Sequence, residues 1–274
     1  MRHPLKSLWK TVFGDGDEYI DLFFSRLYDP QNALFFEQNG KVVSALHLIL
    51  TDIFVAGQPR PAYYLCGAAT LPEYRGRGLM GKLIGRAKSI SRERGVEYIA
   101  LIPAAAGLFP YYRKHGFYAA YSVQHSLYQY NHRENEKRYF FTPADDVSTA
   151  VSMHNDRFRA MDYSLRKDGR LFGFIQNEAE LLGRQLSYVT DSHNQKAGYI
   201  LYSKKNPQRI KELVCDDAAR QNLLDAFMLE HRLNEVWITE PFNGGAEIQK
   251  GMLWAADGKP VTCQSKPYIN VMLD

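Results

Sequence analysis

In residues 5–28, LKSLWKTVFGDGDEYIDLFFSRLY, apolar positions return at helical spacing and the pattern breaks at Gly14-Asp15-Gly16. Two short helices are predicted there. The next run, ALFFEQNGKVVSALHLIL, holds two β-rich stretches joined at Asn39-Gly40, the strongest short signal for a hairpin. PAYYLCGAATL reads as a further strand with small residues near its end. From Leu79 the period changes. Leu79, Leu83, Ile84, Ala87 and Ile90 line one helical face, and Lys82, Arg86, Lys88 and Arg92 take the other. Gly95 stops that helix. VEYIALIP is then a buried strand, GLFPYYRKHG a short helix ended by Gly116, and FYAAYSVQHSLYQY a closing strand.

The polar stretch NHRENEKRYFFTPADD reads as a linker into a new helix. Beyond it RQLSYVTD and KAGYILYS are strands around a turn, and IKELVCDD, AARQNLLDAFMLEHRL and EVWITEP repeat the strand–helix–strand order of YYLCGAATL, the helix from Leu79 and VEYIALIP. The expectation is an α/β chain of the α+β, mixed-sheet kind. Residues 1–130 form one domain, and 131–274 a second, degenerate copy. At the turn equivalent to residues 75–81 the copy carries Asp216-Asp217-Ala218-Ala219-Arg220, where two carboxylates would repel a phosphate.

Composition changes this picture little: 45% hydrophobic and 23% charged residues is the balance of an ordinary globular chain. No window reaches the roughly 18 apolar residues of a membrane span, and the first twenty residues lack the pattern of a signal peptide. Cys66, Cys215 and Cys263 are far apart and lack metal-site spacing, so they read as buried structural thiols in a reducing cytoplasm. No metal site is expected. The net charge of +4 does not announce nucleic acid, but residues 1–130 carry 15 Lys/Arg against 10 Asp/Glu and the remainder 19 against 20. The positive half is the one with the glycine turn, which suits an anionic small ligand.

That turn, EYRGRGLMGKL, spells G-x-G-x-x-G at Gly76, Gly78 and Gly81. A dinucleotide-binding turn needs an apolar strand running into the first glycine and a carboxylate about 20 residues on. Here the glycines follow Pro72-Glu73-Tyr74-Arg75 and the next strand ends in IALIP, so NAD is disfavoured. Two readings of the spacing stay open. Bare amides of residues 76–81 at the positive end of a helix dipole, with Arg75 and Arg77 beside them, make a diphosphate cradle. Alternatively, the glycines only cap a helix and the arginines are solvated.

ATLPEYRGRGLMGKLI resembles the acyl-CoA loop of the GNAT superfamily of N-acetyltransferases, Arg/Gln-x-x-Gly-x-Gly/Ala after a strand and a proline. LFPYYRKHGF resembles the later Leu-Tyr-x-Lys-x-Gly-Phe signature of the same superfamily, some 30 residues on. The resemblance covers residues 1–130. The rest is loosely similar to the second domain of enhanced-intracellular-survival-type acetyltransferases, whose further C-terminal domain this chain is too short to include. Arg75 and Gly78 match the loop, whereas Met80 stands at its last small position, as the tandem relatives allow. The resemblance implies acetyl-CoA as co-substrate, held by Ala68, Ala69, Thr70, Arg75, Gly76, Arg77, Gly78, Leu79, Met80 and Gly81. It also implies that the strand through Gly67 to Thr70 splays from its neighbour, so that one N–H can bond the thioester oxygen.

Tyr112, four residues before Gly116, stands where the family places its general acid; by pattern alone a tyrosine on an apolar helix would be core, and Tyr111 is its nearest double. A phenol of pKa about 10 stays protonated at neutral pH and can donate to a thiolate of conjugate-acid pKa about 8.5. For the base, no residue recommends itself among His115, Glu37 and Asp52; in the survival-type enzymes the chain's terminal carboxylate sits at the site, which makes Asp274 a candidate. The expected activity is transfer of acetyl from acetyl-CoA to a primary amine of a small molecule or peptide, without nucleic acid or membrane partner. Alternatives are a non-catalytic acyl-CoA-binding module and an aminoacyl transferase using charged tRNA. Residues 52–61 are expected to be a loop that shapes the acceptor site.

Overall fold

A computed structural model describes residues 4–131, 139–259 and 267–270. The two predicted N-terminal helices are α1 (Pro4–Phe13) and α2 (Asp17–Arg26). They are followed by strands β1 (Ala33–Gln38), β2 (Lys41–Val55) and β3 (Gln58–Thr70). Asn39 and Gly40 both take positive φ, 51° and 74°, as a two-residue hairpin turn of matching twist requires. Helix α3 (Leu79–Glu93), strand β4 (Tyr98–Leu101), helix α4 (Phe109–Lys114) and strand β5 (Tyr118–Gln129) complete the first half.

The second half runs β6 (Phe140–Pro143), α5 (Ser148–Phe158), β7 (Leu165–Arg166), α6 (Gly169–Leu181), β8 (Arg184–Thr190), β9 (Lys196–Ser203), β10 (Arg209–Cys215), α7 (Arg220–His231), β11 (Glu235–Pro241) and β12 (Ile248–Ala255). Each half thus holds two helices, three antiparallel strands, a helix and a strand parallel to the third. β3 pairs in parallel with β4, and β10 with β11.

Among the described residues, twelve strands join one sheet in the order β1-β2-β3-β4-β12-β5-β11-β10-β9-β8-β6, with β7 on β2. The register shows how the halves are stitched. β12, from the end of the chain, lies antiparallel between β4 and β5, pairing Met252 with Leu101 and Ile248 with Val123. β5 in turn extends across to β11, from Val123–Pro241 to Gln129–Glu235. A strand late in the sequence therefore fills a central place in the first half. Four buried clusters cover the sheet; one packs α3 and α4 on one face, and another packs α2, α5, α6 and residues 268–269 on the opposite side.

Three sequence expectations need correction. Residues 52–61 are not a loop but the paired ends of β2 and β3, closed by Ala56-Gly57 with φ of 50° and 72°. The signal was hidden because alanine seldom adopts that conformation and because Pro59 and Pro61 argue against a strand, although both lie beyond the stretch of β3 that pairs with β4. The expected linker includes an edge strand, β6, paired with β8. The strand-like end of the chain is not a sheet strand in its described part: residues 267–270 are buried, and Tyr268 is tied by its amide to Ser164 Oγ (2.8 Å) and by its carbonyl to the Leu165 amide (3.1 Å).

Candidate functional site

Gly76 and Gly78 both have positive φ (75° and 73°), and no heavy atom lies within 4 Å of a Cβ built on either. The loop therefore turns in a conformation that suits glycine, and the space over it is open. The first helical bond of α3 runs from the Lys82 amide to the Gly78 carbonyl (3.1 Å), so the N–H groups of Leu79, Met80 and Gly81 have no acceptor inside the helix. They are free to serve an anion, with the helix dipole behind them. Side chains anchor this turn from both sides. Leu79 packs with α1 and β2, and Met80 against the cluster that holds α3 on the sheet.

The two arginines brace the loop. Arg75 Nε donates to the Thr70 carbonyl (3.1 Å), and Arg77 Nη2 to the Glu73 carbonyl (2.8 Å), with its guanidinium 4.9 Å from the Tyr74 ring centre. Both remain exposed. Glu73, the nearby carboxylate, is paired with Lys41 (3.4 Å). Gly81 has a different task. A Cβ on it would fall 2.8 Å from His115 Cε1, so its bareness lets the end of α4 seat on the first turn of α3.

This contact joins the two sequence motifs in space. α4 carries Tyr112 into the cluster under α3, where it meets Phe117 edge-on at 5.9 Å. Burial, helped by Tyr111, pushes its phenol up to about 12. Tyr111, half-buried at the margin of the same cluster, meets the Tyr112 ring at 5.4 Å and His115 at 4.9 Å. His115 is lowered by burial and by Lys88, whose ammonium donates to the His115 carbonyl. His115 thus ties the end of α4 to α3.

β3 supplies the third part. Its ladder to β4 ends at Leu65–Leu101, leaving residues 66–70 without a strand on that side, as the splay requires. Against β2 the register runs from Ala45–Ala69 to His47–Cys66, so β3 carries one extra residue, a bulge, at Gly67-Ala68. Gly67 has φ of 57°, and a Cβ there would lie 2.6 Å from Trp9 Cζ3 and 2.9 Å from His47 Cδ2. Gly67→Ala is expected to cost about 1–3 kcal/mol through overpacking and to shift Trp9, read by urea unfolding and near-ultraviolet circular dichroism. Unchanged stability and spectrum would show that the bulge is not held as described. Ala68 and Thr70 are part-exposed, Ala69 is buried, and Thr70 Oγ1 bonds Ser44 Oγ (2.8 Å).

Around the bulge stand residues that sequence reasoning passed over. Trp9 Nε1 donates to Asp15 Oδ2 (2.7 Å), and Tyr19 OH to the buried carboxylate of Glu178 (3.3 Å). Only the break at Gly14-Asp15-Gly16 hinted at them; Glu178 lies on the unforeseen α6. Of the carboxylates weighed as a base and not favoured, Asp52 is paired with Arg166 (2.6 Å) and Glu37 is exposed on the edge strand. Asp274 lies outside the described residues. Cys66 is buried and its thiol raised by burial, which makes it a poor nucleophile. Among the described residues no group of His, Cys, Asp or Glu is placed to hold a metal ion, and no helix is long and apolar enough to cross a membrane.

Residues 3–120 match the family model of an acetyltransferase (GNAT) domain. No curated protein sequence matches the chain. Among solved structures the fold is similar to a protein of unknown function from Enterococcus faecalis V583 (TM-score 0.76, 13% identity, 93% of this chain and 70% of that one). It is also similar to Eis1 from Mycobacterium abscessus (TM-score 0.71, 14% identity, 92% and 70%). A tandem GNAT protein from the clavulanic acid biosynthesis pathway aligns over 94% of this chain and 96% of that one, with TM-score 0.53 and 12% identity. Residues 3–120 are thus similar to a GNAT acetyltransferase domain, and the chain shares its overall fold with a tandem GNAT protein.

Proposed function

We propose that this chain transfers an acetyl group from acetyl-CoA to a primary amine of a small molecule or peptide by direct attack, with residues 131–274 as a degenerate second copy of the domain. The observation that carries the reading is the seating of α4 on Gly81. It brings the end of the helix that bears Tyr112 beside the first turn of α3, which supports a single ligand spanning both. In this reading the amides of residues 76–81 hold the diphosphate, and Arg75 and Arg77 fix the loop. The released edge of β3, residues 67–70, binds the arm and polarises the carbonyl. The neutral amine attacks, the C–S bond breaks, and Tyr112 gives its proton to the departing sulfur. The nitrogen, acidic once acylated, returns a proton to the phenolate, directly or through water.

Asp15, beside Trp9, and the Tyr19–Glu178 pair set negative charge near the bulge and favour a cationic acceptor. Incubation of acetyl-CoA with an amine library is expected to release free thiol in step with amide formation. Thiol release with no amine would contradict the reading. Tight acetyl-CoA binding with no turnover on any amine would favour a binding module instead. For the turn itself, Gly78→Val forces a β-branched residue to φ near 73°, a genuine outlier. The dissociation constant for coenzyme A, measured by calorimetry, is expected to rise about tenfold or more, about 1.4 kcal/mol. Unchanged affinity would remove the turn from the binding site.

A further inference from the structure

The bulge at Gly67-Ala68 stands where β3 leaves β4, and its shape has to be fixed from outside its own ladders. Among the described residues no strand borders it past Leu65–Leu101, and its pairing with β2 is interrupted between His47–Cys66 and Ala45–Ala69. Hydrogen bonds tie the far end of the segment. Ser44 Oγ donates to the Ala69 carbonyl (3.2 Å), Arg75 Nε to the Thr70 carbonyl (3.1 Å), and the Leu71 amide to the Val43 carbonyl (3.0 Å). The Gly67 end is set by packing.

Trp9 does that packing. Its ring carbons Cζ3 and Cε3 lie 2.6 and 3.2 Å from where a Gly67 side chain would begin, with His47 Cδ2 at 2.9 Å. The indole therefore fills the space that another residue would fill for itself, at a φ of 57° that glycine alone takes freely. The ring is in turn locked. Its N–H donates to Asp15 Oδ2 (2.7 Å), in the break between α1 and α2, and Phe23 and Phe13 flank it at 4.6 and 5.4 Å. An indole has a single donor, so this charge-assisted bond decides which edge of the ring meets the bulge.

Placement matters because a donor stabilises a developing oxyanion only at about 2.7–3.1 Å, and misplacement by about 1 Å can cost about 10²-fold in rate. We propose that Trp9 is a positioning residue for acetyl transfer. Locked by Asp15, it holds the Gly67-Ala68 bulge so that a main-chain N–H of residues 67–70 meets the thioester oxygen. This rests on the acetyl-transfer reading; Trp9 acts through the bulge, not on a reactant.

Two measurements test it: amide hydrogen exchange over residues 66–70 of the unliganded chain, and the carbon-13 resonance of carbonyl-labelled acetyl-CoA. In the wild type the bound carbonyl should move downfield, as a hydrogen-bonded carbonyl does. Trp9→Phe and Asp15→Leu should exchange those amides about tenfold faster and return the resonance toward its free value. They should also lower kcat by about 10- to 10²-fold, with coenzyme A affinity, set at the glycine turn, unchanged. Asp15→Asn keeps an acceptor for the indole and should restore both exchange and resonance, whatever its effect on KM for the amine. If Trp9→Phe does not fold, the two Asp15 variants carry the test. Wild-type exchange or a wild-type resonance in Trp9→Phe or Asp15→Leu would overturn the proposal, as would an Asp15→Asn as impaired as Asp15→Leu. Those results leave the acetyl-transfer reading standing. Acetyl-CoA bound by the wild type with an unshifted carbonyl also overturns the proposal alone, whereas no binding of acetyl-CoA overturns both.

Discussion

Replacing Tyr112 with phenylalanine is expected to lower kcat by about 10²- to 10⁴-fold, the range for loss of a positioned general acid, with coenzyme A affinity little changed. The ring packs among Leu83, Ile84 and Phe117, and phenylalanine keeps that packing, so stability should hold within about 1 kcal/mol. The pH profile gives a second reading. A group raised to about 12 is protonated at every lower pH, so its acid function is present through neutrality and lost only as pH rises toward that value. No descending limb near pH 10 should be assignable to Tyr112. Full turnover in the phenylalanine variant, or a limb near pH 10 that the substitution abolishes, would contradict its placement. Tyr111→Phe serves as control and should leave kcat within a few-fold.

The second large effect concerns stability. Lys167 and Glu212 are both fully buried, with Nζ 3.0 and 3.2 Å from the two carboxylate oxygens. Tyr199 OH (2.9 Å), Tyr268 OH (3.2 Å) and Asn270 Nδ2 (3.3 Å) also donate to Glu212. The Lys167 ammonium holds the Glu212 carboxyl below its ordinary range against the penalty of burial. Lys167→Met strands that carboxylate and is expected to cost about 3–5 kcal/mol in urea unfolding at pH 7.

The sign of its pH dependence follows. In the wild type the lowered carboxyl contributes stability above the unfolded carboxylate pKa and loses it as pH falls through the folded value. In the variant the buried carboxyl is raised, so protonation relieves it and the deficit shrinks between pH 7 and pH 5. Lys167→Met with Glu212→Leu should recover most of the loss. A deficit below about 1 kcal/mol in the single variant would show that the pair does not hold residues 268–270 to the second half.

What could be read from the sequence was local. The glycine turn, the face of α3 and its Gly95 stop, the hairpin at Asn39-Gly40 and the Tyr112–Gly116 spacing rest on residues close in the chain. All but the last were announced by periodicity or by glycine; the Tyr112–Gly116 spacing came from the family resemblance. What could not be read was set by distant partners. Nothing in Ile248–Ala255 says that it will lie between β4 and β5. Tyr19 and Glu178 are 159 residues apart, and Gly81 reads as a third phosphate glycine until His115 is seen against it. Ala56 concealed a hairpin because its conformation defies its residue type. Trp9 stands against Gly67 only because α1 packs on β3, so no window of sequence contains that contact.

A crystal structure of the chain with coenzyme A tests the central claim most directly. The diphosphate should lie within hydrogen-bond distance of the amides of residues 76–81, with the thiol directed toward Tyr112 OH between residues 67–70 and the end of β4. A diphosphate bound elsewhere, with that turn empty or the thiol pointing away from Tyr112, would contradict it.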